Sequence, residues 1–467
     1  MKTQEAKIFI VALTIGTLLR FFAIGQRDFW FDEAFSYHIA QLPVKDLIAA
    51  SLTDNNPPLY YLLLHYILKI SDNEIALRLP SLILNIFAIY LIYSLFKTQI
   101  NKKVATIAAS LFSLSPLAIY TATEARPHGP AVIFTLLISM AFFMLIKKSN
   151  IKYSIIFIFL AIIGIFVHFY TLLLFLPFTF IVVFGKSRIK ILRWLLILAI
   201  ILLAISPWFF FSIQKSHSDC ACPPTLLSLP ASLVSPFIGG VGEVTIRIFP
   251  TLSLLVILLF GIVTLITSFL FLKGLAQNRV ITLLYLMPLG ALSFFGIFLP
   301  VFSPKAFSIS SPFYFIIVAL GIASFRKSGL ITLLIGILLI TINIIQLINP
   351  FFAGTRLKPL HNIVKENRSV TVAHTSLLTY YSLNYYSERN QKHILITQNP
   401  LSVQTLKFIG GEKQEVDPKS ENLWLVDTQK WTEAKDRENA LKIVFDAYYP
   451  EKTYKIDKIT VILLKQK

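Results

Sequence analysis

Cysteine, charge and polar stretches are what this sequence has least of. Among 467 residues there are 2 cysteines, Cys220 and Cys222 in DCACPP. With no histidine beside them they make a poor metal site. A bond between such near neighbours would close a small strained ring, so an intermolecular bridge and free thiols both stay open. Charged residues are 14% of the chain against 55% hydrophobic, including 40 Phe, and the mean hydropathy is +0.70. That apolar content exceeds the range of soluble domains and defines a polytopic membrane protein. The first apolar run, Ile8 to Ile24, has no small-residue cleavage site before Gln26 and Arg27, so it is read as a retained helix and not a removed signal peptide. The tail has Gly410-Gly411 but no glycine-rich phosphate loop after a strand, which argues against a nucleotide site. Low-complexity segments and internal repeats are lacking.

What is present is a succession of apolar runs long enough to span a bilayer core of about 30 Å. About eleven are expected, near 6-24, 76-97, 103-120, 128-147, 152-167, 169-184, 190-213, 248-272, 280-300, 308-325 and 329-349. Their connecting loops alternate between two sides. One side collects Lys2, Lys7, Lys97, Lys102, Lys103, Lys147, Lys148, Lys152, Lys186, Arg188, Lys190, Arg193, Lys273, Arg279, Arg326 and Lys327, and by the positive-inside rule it is cytoplasmic. Carboxylates avoid it: of the Asp and Glu before residue 350, only Glu5 falls there. The formal charge of +19 is therefore mainly topology, and no nucleic-acid partner is expected.

The chain is thus expected to be an all-α polytopic membrane protein with a small soluble α/β domain at its end. The division falls into residues 1-350, transmembrane, and 351-467, extracytoplasmic. The first outer loop, Gly25 to about Ile75, holds two amphipathic pieces, Asp32 to Ala50 and Pro57 to Ile70, read as helices at the interface. Gln214 to Arg247, rich in Pro, Ser and Gly, reads as a lid-like loop. In the tail, SVTVAHT, HILITQ, NLWLVDT and ITVILLK read as strands. SLLTYYSLNYY, a short stretch near Leu401 to Phe408 and Glu433 to Val444 read as helices.

Five outer features concentrate ionisable groups on one face, where such groups mark function when they converge. They are Asp32-Glu33 in FWFDEAFSYHIA, DNNPPLYY with ALRLPS, TEARPHGP, VHFYT around His168, and SPKAFSISSPFY with Lys305. Each has a plain alternative. Asp32 could be a solvated loop charge. Glu124 and Arg126 could form a salt bridge closing a turn, and His168 could only join helices. Lys305 could snorkel, and Tyr60 and Tyr61 could be interfacial anchors. The position of Asp32 directly after Phe29-Trp30-Phe31, an aromatic belt cluster, favours a site.

The order DE, PPLYYLLLH, ALRLPSLI, SPLAIYTATEARPHG, VHFYTLLLFLP resembles the bacterial protein-mannosyltransferase-like family of polyprenyl-phosphate-sugar glycosyltransferases, within the C-type membrane glycosyltransferase superfamily. The resemblance covers residues 20 to 180 well. Near Lys305, where similar proteins often carry an Arg-Tyr pair, this chain reads Lys305-Ala306.

The resemblance implies inverting transfer of a sugar from a polyprenyl-phosphate donor to an acceptor at the outer face of the plasma (inner) membrane. Asp32 would be the catalytic base, with Glu33 orienting the acceptor or sharing that role. Arg126, with Lys305 and Arg78, would hold the donor phosphate as its charge develops. Glu124, His128, His168, Tyr60 and Tyr61 would contact substrate. The acceptor could be lipid, glycan or protein. No cofactor is required by this reading; some similar proteins use a divalent metal, but no ligand cluster in the sequence demands one. A transporter or flippase of a lipid-linked substrate is the rival reading, although such proteins generally bind at the midplane and show repeats with broken helices.

Overall fold

The computed structural model describes residues 4–54, 56–185, 187–213, 236–237, 254–298, 307–348, 356–387, 391–397, 408–410, 413–417, 420–429 and 432–467. Lys305, Cys220, Cys222, most of the stretch Gln214 to Arg247 and most of the expected helix at 401-408 lie outside the described residues. The chain divides into two compact units: residues 1–26, 75–211 and 221–352 form one, and residues 27–74, 212–220 and 353–467 the other. The long first loop therefore groups with the tail, a partition different from the expected break near residue 350.

The first unit is helical. Its elements are α1 (Gln4–Ala23), then α5 (Glu74–Gln99), whose first residue still belongs to the second unit, α6 (Lys102–Leu114), α7 (Pro116–Ala122), α8 (His128–Lys148) and α9 (Ile151–Val167). A 3-10 turn (Phe169–Leu174), α10 (Phe175–Phe184), α11 (Ile191–Ile213), α12 (Leu254–Leu275), α13 (Arg279–Phe298), α14 (Phe307–Ala323) and α15 (Ser328–Ile348) follow. Among the described residues, seven helices are long and apolar enough to cross a membrane, or eight if the bent pair α6 and α7 counts as one. Ile151–Val167, Phe169–Phe184 and Ser308–Ala323 are apolar but shorter. Each expected run is mainly helical within the described residues, 103-120 with a break at Ser115, and the difference from eleven lies in length.

The bend of 61° between α6 and α7 has a local cause. Ser115 sits in an extended conformation, its hydroxyl accepts from the Ala118 N–H at 3.2 Å, and Pro116 starts the new helix. A proline at the first helical position loses no hydrogen bond there.

Burial sorts these helices. In α14 every residue from Ser308 to Ile322 is buried, so this helix is the axis of the apolar core. By contrast α11 and α12 leave large aliphatic side chains outside, with Leu192 80% and Leu255 78% exposed. An apolar exterior of this kind is solvated by lipid. Where α12 meets α14 the backbones nearly touch: a Cβ on Gly274 would lie 1.9 Å from the Ile317 carbonyl oxygen, and one on Gly321 would lie 2.0 Å from that of Leu270. Small residues replace hydrophobic driving force as the means of helix association in lipid.

The second unit combines α2 (Phe31–Gln41), α3 (Val44–Ser51) and α4 (Pro58–Leu68) with the tail, which holds α16 (Lys358–Val364), β1 (Thr371–His374), α17 (Leu377–Tyr386), β2 (His393–Leu395), β3 (Asn422–Asp427), α18 (Ala434–Ala447), β4 (Tyr448–Ile456) and β5 (Ile459–Gln466). The expected single helix 32-50 is two helices, broken at Leu42 and Pro43, because a proline disfavours the helical region for the residue before it. The sheet order is β2-β1-β3-β5-β4, parallel among the first three and antiparallel for the last two pairs. Alternation along β3 builds two cores: Trp424 and Val426 join Leu357, Leu360 and Val372 on one face, while Leu423 and Leu425 join Ile394, Ala440 and Val444 on the other.

Candidate functional site

In the first unit, three of the sequence motifs are tied together by direct contacts. Arg78, near the start of α5, is fully buried and donates from Nη1 to the Ile24 carbonyl at 2.8 Å. One turn later, the Ser81 hydroxyl donates to the Arg126 carbonyl at 3.3 Å. Beyond that turn α8 begins at His128, and a Cβ on Gly129 would meet the Thr121 carbonyl oxygen at 2.7 Å, so only glycine lets this corner close on α7. Glu124 is fully buried and accepts from the Tyr120 hydroxyl at 3.1 Å; Arg126 and His128 are 9% and 7% exposed. Buried ionisable groups persist only where the fold provides partners.

His168 joins the same cluster. It ends α9 in an extended conformation and caps the following 3-10 turn, its Nδ1 accepting from the Tyr170 N–H at 3.3 Å. Its Nε2 lies 3.1 Å from Nδ1 of His128. These two contacts fix the tautomers. An acceptor Nδ1 leaves the proton of His168 on Nε2, which must donate to His128 Nδ1, and the proton of neutral His128 then sits on its Nε2. His128 is thereby a donor at Nε2, unsuited to the role of base.

Arg20 was not singled out by sequence motifs. It is fully buried at the end of α1 and donates to Asn85 Oδ1 at 3.0 Å, to the Gly16 carbonyl at 2.8 Å and to the Ser113 carbonyl at 2.6 Å. Its Nη2 and Asn85 Nδ2 have no hydrogen-bond partner among the described residues. A lone arginine within an apolar run of some 18 residues was the available signal, since intramembrane charge is functional by default.

The second unit holds the carboxylates. Asp32 and Glu33 occupy the first turn of α2, where their charge faces the positive end of the helix. Asp32 is half-buried and Glu33 is 1% exposed. Asp54 is a further buried carboxylate, quoted in DNNPPLYY but not chosen as a site residue. It accepts from the Tyr61 hydroxyl at 2.5 Å and from the backbone and side-chain N–H groups of Asn56 at 3.1 and 3.2 Å. Tyr61 thus spends its hydroxyl on Asp54, and Tyr60 is buried beside it. The signal that could have found Asp54 is its spacing of seven from Tyr61 across a Pro-Pro helix start. Among the described residues, no group of three or more His, Cys, Asp or Glu is arranged to hold a metal ion.

Residues 55–211 match the sequence family described as dolichyl-phosphate-mannose-protein mannosyltransferase. Among curated proteins no relative of the sequence is found. Among solved structures, ArnT from Cupriavidus metallidurans in the apo state superposes with a TM-score of 0.61 at 10% identity, covering 98% of this chain and 97% of that one. The same protein bound to undecaprenyl phosphate gives 0.62 at 10% identity with the same coverage. The Archaeoglobus fulgidus oligosaccharyltransferase in complex with Zn and sulfate gives 0.50 at 12% identity, covering 96% of this chain and 72% of that one. At such identities the likeness concerns the fold. The fold is thus like that of these membrane proteins, and residues 55–211 are similar to the mannosyltransferase family.

Proposed function

We propose that the chain transfers a sugar from a polyprenyl phosphate to a hydroxyl acceptor, with inversion at the anomeric carbon, at the extracytoplasmic face of the plasma membrane. The observation that carries this reading is the buried cluster of Glu124, Arg126, His128 and His168 inside the family-matched region. A fold relative that binds undecaprenyl phosphate supports the donor class. The similarity of residues 55–211 to a mannosyltransferase family supports this reading over the transporter alternative.

Asp32 accepts the proton of the acceptor hydroxyl while its oxygen attacks the anomeric carbon. The bond from that carbon to the phosphate oxygen breaks, and the polyprenyl phosphate leaves with the electron pair. Glu33 orients the acceptor. Arg126 offers its planar fork to the phosphate oxygens, with Arg78 and Lys305 as further cations. His128, a donor at Nε2, serves a phosphate or sugar oxygen; Glu124, His168, Tyr60 and Tyr61 complete the substrate contacts. The lipid, glycan or protein acceptor is not specified by these residues, and no resident metal is part of the proposal.

The lysine and arginine pattern supports placing these motifs and residues 351-467 outside, with eleven spans if the three shorter helices also cross. Asp32→Asn in purified membranes, assayed with a radiolabelled polyprenyl-phosphate sugar, is expected to lose at least about 100-fold in turnover. Full activity in that variant would sink the assignment. A cysteine replacing Glu124 that reacts only with reagents reaching the cytoplasm would invert the proposed topology.

A further inference from the structure

The loop that bears Asp32 and Glu33 is tied at both of its ends by the same tail residues. At its beginning, Asp28 Oδ2 accepts from the backbone N–H groups of Leu357 and Lys358 at 2.7 and 2.9 Å. At its end, Glu74 accepts from Lys358 Nζ on Oε2 at 2.9 Å and from the Tyr386 hydroxyl on Oε1 at 2.5 Å. Lys358 Nζ also lies 3.9 Å from Asp28 Oδ1, so one ammonium reaches both ends. Tyr386 does the same, because its oxygen accepts from the Phe29 N–H at 2.5 Å while its proton goes to Glu74. Tyr385 is the third such residue: its hydroxyl donates to the Asp72 carbonyl at 2.9 Å, and its ring stacks on Phe29 at 4.3 Å and meets Tyr37 edge-on at 4.8 Å. Trp30 packs against the tail core formed by Leu357, Leu360 and Trp424.

Two residues after the Phe29 contact, α2 begins, and Asp32 is its second residue. A shift of the backbone at Phe29 therefore moves the Asp32 carboxylate through a single helical turn. Burial, followed by the neighbouring Glu74, pushes the Tyr386 phenol above its ordinary range, so its hydroxyl remains a donor at any working pH.

We propose that the C-terminal domain is the positioning element of this loop, with Tyr386, Tyr385 and Lys358 as positioning residues for Asp32. The tail on this view neither reacts nor binds donor; it holds the two chain ends of the loop at a fixed separation. The proposal rests on the transferase reading for its kinetic consequence, but the brace itself is a property of the second unit.

The test uses the full-length protein in detergent, with Tyr386→Phe and Lys358→Met compared with Lys358→Arg. Hydrogen exchange at residues 29–36 is expected to quicken by about tenfold in the first two variants, while 422–427 and 459–466 keep their protection. Turnover should fall by about tenfold with the donor KM held within about twofold, as when only transition-state geometry is lost, and Lys358→Arg should recover most of it. Unchanged exchange at 29–36 in both variants overturns the proposal. So does a rise in donor KM at constant kcat, which would make these residues donor contacts, and so does equal loss of protection in the sheet strands of both variants, which would make them general supports of the fold. If the unaltered protein transfers no sugar, the transferase reading fails while the exchange measurement still decides the brace.

Discussion

The two units solve the same problem, the burial of charge, in different ways. In the helical unit the arginines find backbone: Arg20 takes the carbonyls of Gly16 and Ser113, and Arg78 that of Ile24. In the loop and tail unit, ionised groups find each other, as in Asp427 with Arg437 and in Lys358 with Glu74 and Asp28. Lipid-embedded segments carry few carboxylates to spare, and the carbonyls at helix ends and bends are the acceptors at hand. The difference teaches that these first-unit arginines lean mainly on the path of the backbone, whereas Lys358 and Arg437 in the second unit depend on partner carboxylates. On Arg20 the backbone anchors leave Nη2 without a partner among the described residues.

The comparison can be broken first at Arg126. Arg126→Met is expected to reduce turnover by about 100-fold or more, measured as transfer from a radiolabelled lipid donor. Arg126→Lys should recover part of it through charge without the fork. Next comes Gly321→Ala, whose new methyl would meet the Leu270 carbonyl oxygen at 2.0 Å. A loss of about 1–3 kcal/mol in the helical unit is expected, read as a lower unfolding temperature with the tail strands still protected. On the other side of the comparison, Asp427→Ala strands Arg437, which donates to both carboxylate oxygens from a half-buried position. A cost of about 1–3 kcal/mol confined to the tail is expected, visible as faster exchange at 422–427 and not in α14.

The smallest effect near neutral pH comes from the buried imidazoles of the tail. His374 Nε2 lies 2.8 Å from His393 Nδ1, and His393 Nε2 lies 2.7 Å from the Ser387 hydroxyl. Burial, with His361 and His38 nearby, holds His393 down to about 3; burial and His393 hold His374 well below its ordinary value. Both are therefore neutral in the fold, while the unfolded chain takes up protons below about 6.5. Their contribution is fully present above that pH and is lost as pH falls from there towards 3. Exchange of the tail strands, followed from pH 7 to 4, should accelerate over this window, and His393→Gln should flatten the dependence.

Most of the helical unit was legible because long apolar runs have few alternatives in lipid. The residues of the candidate site were legible where they stood in short polar turns, as in TEARPHGP. Arg20 escaped because it lies within an apolar run and makes its contacts with helices that the sequence gives no means of pairing. In the tail, β1, β3 and β5 follow apolar alternation, whereas β4, YYPEKTYKI, carries exposed charges and a bulge at Pro450 to Lys452, as edge strands do. The joining of the first loop to the tail was hidden for a similar reason. Asp28, Glu74 and Lys358 read singly as ordinary loop charges, and their pairing crosses some 300 residues.

The fixed tautomers of His168 and His128, with the Tyr170 backbone N–H before them, have an electrical meaning. Three N–H bonds in succession point the same way, from Tyr170 through His168 to His128, so their dipoles add. The row carries a partial positive charge to His128 Nε2 without any protonation of the rings. A group that meets that bond is favoured by lone pairs or negative charge, and a cation is disfavoured even though both rings are neutral.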